Sequence, residues 1–452
     1  MRNQKHKFTN LILLLIVIFL FIGVAEVELP LILALTATTL ISILILLALC
    51  KLIKPNNSAN SLYKWTFRWT FAIFAMHLLL GSVVVSSRYI TVLLGGDALT
   101  YSGDALAISK HWLVGLPMPA LPPGKGAFFY ILASIYYIFG YFPVAGMVIN
   151  AAMFAATVPL LTDATRRYFD SAAAKYVPIL LGIVPGFIIW GSQLIREPGV
   201  YLFLALSLWA TVRLVLRPSI VYALVFAVAI TILIPFRADV GILAGGGEII
   251  GILFHFIIKQ NKAGTGVITG VGILLITLGI VAGVGVGYGG YKLVKSTNLQ
   301  QLNDIRMGSA TEAASGFLPT SQITTPAAAV SYIPLGSTEI MIGPFPWQIS
   351  VGTGHQFYAL PDTFIWWYLL PSLWRGIKET RKRKSTTSLI FLCPALLVTS
   401  GLALIIANFG TAVRERMQVI LILVPLIALG LSKRKQNKQR HQEDNHSLLK
   451  QV

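Results

Sequence analysis

Apolar runs of about 20 residues recur along this chain, separated by shorter polar segments. Strands of a membrane β-barrel alternate polar and apolar positions, and these runs do not. A helix of about 20 apolar residues crosses a bilayer and satisfies its own backbone hydrogen bonds there. The pattern therefore predicts an all-α polytopic membrane protein.

Twelve of these runs are predicted to span the membrane. A further apolar segment, Ala127–Gly140, has only 14 residues and is rich in aromatic side chains, so it is predicted to lie at the outer interface. Two long polar stretches, residues 88–126 and Tyr291–Asp362, are predicted to be outer loops. The predicted spans are Phe8–Val27, Leu29–Ile53, Arg68–Ser87, Pro143–Leu161, Lys175–Ser192, Gly199–Leu216, Val221–Pro235, Gly241–Ile258, Val267–Gly287, Thr363–Trp374, Ser388–Ala407 and Gln418–Leu431.

The spans and loops divide the chain into four parts. Residues 1–292 form an N-terminal transmembrane module that includes the first outer loop, and residues 293–362 form the second, larger outer loop. Residues 363–432 supply the C-terminal transmembrane helices, and residues 433–452 form a basic tail.

Composition and charge support a membrane protein and give its orientation. Only 12% of the residues are charged, against about 25% in soluble proteins. The formal net charge is +19, and most lysines and arginines lie in short loops and tails, where they mark the cytoplasmic side. Both termini are therefore predicted to be cytoplasmic in a multi-pass cell-membrane protein. The charge reports topology rather than a nucleic-acid partner, although the basic segment 433–440 also suits anionic membrane lipids.

Once the basic loops are assigned to the cytoplasm, several charged segments remain on the outer face. Charge close to the membrane on that side opposes the topology rule, so it indicates function. These segments contain Asp97, Asp104, Lys110, His111, Lys125, Arg196, Glu197, Arg237, Asp239, Arg414, Glu415 and Arg416.

Asp97 and Asp104 are the candidate catalytic residues. Tyr101 and Ala105 follow Asp97 by four and eight residues, and Asp104 follows it by seven, so one helical face can carry all four. A carboxylate at a helix start near the bilayer surface can act as a general base. The alternative is that Asp97 caps a helix after Gly95-Gly96.

The segment Arg414-Glu415-Arg416 precedes the last predicted span. Arginine binds phosphate groups in bidentate fashion, so two arginines here suit a phosphate or diphosphate.

The other outer charges have structural alternatives. Arg196-Glu197 and Arg237-x-Asp239 could form local ion pairs that close the bundle, and Lys125 could face lipid headgroups. The residues predicted to bind substrate are Tyr101, Lys110, His111, Lys125, Arg196, Glu197, Arg237, Arg414 and Arg416.

No metal or disulfide site is indicated by the sequence. The two cysteines, Cys50 and Cys393, are far apart, and no CxxC motif is present. His111 and His355 make no metal-binding spacing with nearby acids. No cofactor is predicted with certainty, and a divalent metal remains open.

Part of the chain resembles the GT-C superfamily of membrane glycosyltransferases, in its protein-mannosyltransferase-like and aminoarabinose-transferase-like branch. The resemblance covers Gly95 to Leu216. It rests on Asp97-x3-Tyr101-x3-Ala105, the proline-rich stretch that follows, Phe128-Phe129-Tyr130 through Phe139-Gly140, and Arg166-Arg167-Tyr168-Phe169 followed by Ser171-Ala172-Ala173.

In that family the first outer loop carries the catalytic aspartate, which corresponds to Asp97 here. The family often has a second acid directly afterwards, where this chain has Ala98, and Asp104 is the candidate substitute. The resemblance implies a polyprenyl-phosphate-linked sugar donor and a glycan, lipid or protein acceptor, in cell-surface glycan or glycoprotein assembly. It also implies that the second outer loop, with Tyr332, Phe345, Trp347 and His355, closes over the acceptor. The alternative is that its aromatic residues form an interfacial belt.

Two other functions remain open. A surface-polysaccharide polymerase or ligase also uses lipid-linked saccharides, and it would depend on Arg414 and Arg416 rather than Asp97. A transporter or flippase would need charge at mid-membrane depth or an internal repeat. Glu248 and His255 are the main charged or ionisable residues inside the predicted spans.

Overall fold

The structure is a computed structural model that describes most of the chain. The predicted spans Phe8–Val27 and Val267–Gly287, as well as Lys125 and His355, lie outside the described residues. The described residues are 29–53, 60–87, 90, 96–117, 126–260, 272, 299–311, 316, 322–348, 359–382 and 388–449.

Helices make up nearly all of the described structure. The exceptions include an isolated β-bridge between Gly316 and Asn408 and two short 3-10 turns, Lys51–Ile53 and Pro346–Gln348. The α-helices are α1 (Leu29–Cys50), α2 (Asn60–Ser86), α3 (Asp97–Leu113), α4 (Gly126–Phe139), α5 (Pro143–Tyr168), α6 (Ser171–Ala174), α7 (Tyr176–Ile183), α8 (Pro185–Gly191), α9 (Glu197–Leu216), α10 (Ile220–Phe236), α11 (Ala238–Gln260), α12 (Leu299–Thr311), α13 (Pro326–Ile342), α14 (Ala359–Lys382), α15 (Leu389–Ile405) and α16 (Phe409–Leu449).

Among the described residues, six helices are long and apolar enough to cross a membrane: α1, α2, α5, α9, α11 and α16. The bent segment formed by α6 to α8 would be a seventh, and α4, α10 and α15 are shorter apolar helices. The predicted class, an all-α membrane protein, is confirmed.

The predicted span Lys175–Ser192 is not one straight helix. It breaks at Val184, and the two parts, Ser171–Ile183 and Pro185–Gly191, meet at 58°. Val184 is extended, with φ −71° and ψ 119°, because the proline ring of Pro185 disfavours helical geometry in the residue before it. The prediction of an uninterrupted span was therefore wrong at this point.

The second polar stretch is also more structured than a loop. It contains α12 and α13, and α13 packs against α15 and α16. Tyr332 is buried with Leu302 and Ile323, and the Arg306 guanidinium lies 3.7 Å from the centre of the Tyr332 ring. This stretch is thus joined to the helical core.

Close packing between α14 and α16 depends on two glycines. A Cβ atom at Gly376 would collide with the backbone carbonyl of Leu426, and one at Gly430 would collide with that of Ser372. Small residues allow membrane helices to approach in this way. The long helix α16 is consequently almost entirely buried along its apolar part.

Charged side chains gather at both ends of α9. Glu197 begins the helix, and Arg213 lies 16 residues later, about 24 Å along its axis. Arg213 pairs with Asp163, which is fully buried and also accepts from Arg166, Arg167 and Trp209. We call these five residues, Asp163, Arg166, Arg167, Trp209 and Arg213, the Asp163 cluster.

Candidate functional site

The charges around Glu197, at the other end of α9, form the candidate site. The site contains two arginines and four carboxylates, so its formal charge is −2 when all are ionised. We call it the Arg414 cluster, and its members are Asp97, Glu197, Arg237, Asp239, Arg414 and Glu415.

Helix α3 places Asp97 in this cluster. Gly96 is the N-cap residue and has a left-handed backbone with φ 73°, which glycine adopts without strain. Asp97 is therefore the first residue of the helix rather than its N-cap. The face below it is buried through Tyr101 and Ala105, as the predicted spacing required.

Arg414 links three distant segments. Its Nη1 donates to Asp97 Oδ2 at 2.5 Å, and its Nε lies 3.3 Å from Glu197 Oε1. Its guanidinium carbon lies 5.8 Å from the centre of the Trp190 ring. The first residue of α3 is thereby held by α16, with α9 supplying the opposing carboxylate.

Arg237, between α10 and α11, holds the rest of the cluster together. It forms ion pairs with Glu415, with Asp239 at 3.5 Å and with Glu197 at 3.8 Å. Burial lowers the pKa of Arg237, but its carboxylate partners outweigh that effect and hold the pKa above its ordinary value. The guanidinium therefore stays charged.

The members of the cluster differ in exposure. The Asp97 side chain is 43% exposed and that of Arg414 is 18% exposed, whereas Glu197 and Glu415 are 1% exposed. Asp97 is thus the most accessible carboxylate of the cluster, and the buried charges behind it serve to hold Arg414 and Arg237.

Tyr101 follows Asp97 by about one turn of α3. Its ring is buried between Phe128 and Phe129, with ring centres 5.3 Å and 5.0 Å away. Burial raises the pKa of the Tyr101 phenol, so this group stays neutral. These contacts fit a packing role, and contact of Tyr101 with a substrate stays a prediction.

Arg416 belongs to a separate, fully buried contact. Its Nη2 donates to Asp362 Oδ2 at 2.8 Å and to Thr363 Oγ1 at 3.1 Å, and its Nη1 donates to the Gly343 carbonyl at 2.7 Å. Asp362 in turn accepts from the Gly186 amide at 2.9 Å. Arg416 therefore ties α16 to α13 and α14, and its partners differ from those of the partly buried Arg414.

The pair Arg196-Glu197 does not form the isolated local contact that its sequence suggests. Arg196 Nη1 donates to the Phe236 carbonyl at 3.2 Å, while Glu197 pairs with Arg414 and Arg237. The local pair between Arg237 and Asp239 is present, as one of several.

Three other predicted site residues lie along α3, away from its first turn. Among the described residues, no hydrogen bond or ion pair connects Asp104 to the Arg414 cluster. Lys110 is exposed, and His111 Nδ1 is 2.9 Å from the Pro117 carbonyl. The structure does not bring these residues together with Asp97.

The described aromatic residues Tyr332, Phe345 and Trp347 of the second polar stretch lie in two environments. Trp347 is 79% exposed and stacks on Phe345, with ring centres 4.9 Å apart. Tyr332 is buried. Only the first pair has the exposure that contact with an acceptor would require.

Within the described part of the chain, no three His, Cys, Asp or Glu side chains are grouped so that they could hold a metal ion. The carboxylates of the Arg414 cluster face arginines instead.

Several residues that complete these clusters carried little signal in the sequence. Trp190 lies in an apolar run that gives no reason to single it out. Asp163 could have been recognised, because Arg166 and Arg167 follow it at helical spacings of three and four.

Comparison with known proteins gives no relative for this chain: no family model, no curated protein and no solved structure matches it.

Proposed function

We propose that this protein is a membrane glycosyltransferase of the GT-C type, which transfers a sugar from a polyprenyl-phosphate donor to an acceptor at the outer membrane face. The observation that carries the proposal is the partly exposed Asp97 carboxylate at the start of α3, held by Arg414. A carboxylate held in one position at a membrane surface suits proton abstraction from a hydroxyl.

In the proposed reaction, Asp97 accepts the proton of an acceptor hydroxyl. The hydroxyl oxygen attacks the anomeric carbon with inversion, the bond between that carbon and the phosphate oxygen breaks, and the polyprenyl phosphate leaves with the bonding electrons. Arg414, the partly buried arginine beside Asp97, is the candidate to stabilise the phosphate charge. Glu197 keeps Arg414 in place behind the reacting groups.

We also propose that the chain has twelve spans in a GT-C-like arrangement. The six long apolar helices, the bent segment and the shorter helices support this count, together with the apolar runs outside the described residues. Helix α4 would lie at the outer interface, because its 14 residues reach only about 21 Å, less than the hydrocarbon thickness.

The test is the transfer of labelled sugar by membranes containing the protein, supplied with synthetic polyprenyl-phosphate hexoses and pentoses. Asp97→Asn should lower transfer by about 100-fold or more, because the general base is lost. Asp304→Asn, an exposed carboxylate of α12, is the matched control and should keep the wild-type rate.

The two alternatives give different outcomes. A polymerase or ligase that depends on arginines would retain much of its activity in Asp97→Asn and lose it in Arg414 variants. A transporter would move solute into vesicles without glycosyl transfer. For transport, the feature of interest is buried Glu248, which accepts hydrogen bonds from Ser207 at 2.7 Å and from Thr211.

A further inference from the structure

A cavity of about 640 Å³ lies near the Asp163 cluster, at the end of the molecule opposite the Arg414 cluster. It is bordered by the start of α2, by α6 and α7, and by the polar continuation of α16 beyond its apolar part. Its lining includes Trp65, Lys175, Tyr176, Ile179, Lys435 and Gln436.

The described residues of the lining provide positive charge and no carboxylate. Lys175 and Lys435 are exposed, and among the described residues neither has an ion-pair partner. Their neighbour Lys433 differs, because it lies 3.6 Å from Glu379. Two ammonium groups without an ion-pair partner in one cavity attract an anion.

Polar groups of the cavity wall also favour a ligand that accepts hydrogen bonds. Gln436 Oε1 accepts from Lys433 at 3.0 Å, which leaves its amide nitrogen to donate. Trp65 Nε1 donates to the Lys175 carbonyl at 3.0 Å, which holds the two walls together. The cavity thus offers the Gln436 amide as a nitrogen donor besides the two ammonium groups.

Part of the lining is apolar or aromatic. Trp65, Tyr176 and Ile179 present ring and alkyl surface to the same space. Trp and Tyr side chains prefer the headgroup level of a bilayer, where one end is apolar and the other wet. The ligand that fits both surfaces is an amphiphile with an anionic head.

We propose that this cavity binds the headgroup of an anionic phospholipid of the leaflet on this side, with Lys175 and Lys435 contacting the phosphate. The basic loops beside the cavity assign this side to the cytoplasm, where anionic lipids attract basic protein segments. The proposal does not depend on the function of the Arg414 cluster.

The test is native mass spectrometry of the purified, delipidated full chain in detergent, titrated with phosphatidylglycerol or with phosphatidylcholine. Wild type should bind phosphatidylglycerol in preference. Lys175→Ala combined with Lys435→Ala should weaken that binding by about tenfold or more, because both phosphate contacts are lost.

Two further variants control for charge and folding. Lys378→Ala combined with Lys382→Ala removes two exposed lysines of α14 on the same side, outside the cavity, and should bind like wild type. Lys175→Arg combined with Lys435→Arg should restore binding, which a merely unfolded protein could not do.

Unchanged phosphatidylglycerol binding in the double-alanine variant would overturn the proposal, as would equal binding of phosphatidylcholine. Displacement of the lipid by an equal concentration of sn-glycerol 1-phosphate would identify a site for soluble phosphate and would also overturn the lipid assignment.

Discussion

At the scale of single residues, Arg416 and Asp362 provide a clear energetic test. Both side chains are buried, so removing one leaves the other as an uncompensated charge, at a cost of about 3–5 kcal/mol. Arg416→Met should therefore lower the stability of the purified protein strongly in thermal unfolding. The double variant, with Asp362→Leu added, should recover much of the loss. Strictly additive effects of the two substitutions would contradict this account.

Arg414 allows a test of positioning. Its Nη1 contacts Asp97 while its Nε faces Glu197, and the single ammonium group of lysine cannot reproduce both contacts. On the proposed function, Arg414→Lys should reduce sugar transfer by about 100-fold, the effect of a catalytic group displaced by about 1 Å. Arg434→Lys, at an exposed position on the same helix, should leave the rate unchanged.

A rate in Arg414→Lys equal to that of wild type would show that Arg414 does not position Asp97. Thermal unfolding of the same variant separates this effect from a loss of folded protein, because positioning changes the rate per folded molecule.

Sequence reasoning found most of the charged residues of the Arg414 cluster but not their pairing. Local contacts follow from helical spacing, as for Asp163 with Arg166 and Arg167. The contact between Arg414 and Asp97 joins residues 317 positions apart, and no local pattern encodes that distance. The difference between partly buried Arg414 and fully buried Arg416 likewise depends on which face of α16 meets α14.

At the scale of helices, the contact between α14 and α16 predicts a strong dependence on residue size. Gly376→Ala and Gly430→Ala should each destabilise the protein, because the added Cβ meets a backbone carbonyl that cannot rotate away. Gly246→Ala is the matched control, since its Cβ would enter open space within α11.

Thermal unfolding in detergent measures these three variants side by side. Gly246→Ala should be neutral or stabilising by about 0.4–1 kcal/mol, because alanine restricts the unfolded chain. Equal unfolding temperatures for all three variants would show that α14 and α16 are farther apart than described.

Hydropathy located the membrane helices better than it located their ends. A charged residue ends an apolar run without ending a helix, because Lys, Arg and Glu are good helix formers. Thus α2 begins at Asn60 rather than Arg68, and α16 extends over Phe409–Leu449 rather than Gln418–Leu431. The cause of the break before Pro185 is present in the sequence, because a proline disfavours helical geometry in the residue before it, here Val184. The hydropathy pattern did not indicate the break, because the apolar run continues across it.

At the scale of the whole molecule, the segregation of charge into two ends gives a test of orientation. Ala107 on α3 and Ser171 on α6 are both exposed and lie on opposite sides in the predicted topology. In a background without Cys50 and Cys393, Ala107→Cys should react with an impermeant thiol reagent on intact cells. Ser171→Cys should react only after the cells are permeabilised.

The reverse labelling would place the Arg414 cluster in the cytoplasm and remove the basis for an outer-face reaction. Labelling of both sites after permeabilisation is the control for accessibility. The positive-inside rule supplied this orientation from loop charge alone, whereas the grouping of the outer charges into one cluster required the packing of α9, α11 and α16.

Because the site joins Asp97 to Arg414, it can form only after both residues have been synthesised. Ribosomes make the chain from its N-terminus, so α3 reaches the membrane long before residue 414 has been translated. Throughout that interval the carboxylate lacks its arginine. A chain halted before α16 would carry the acid without the group that holds it, and on the proposed function it would be silent. The order of synthesis thereby delays formation of the Arg414 cluster until the bundle around it is complete.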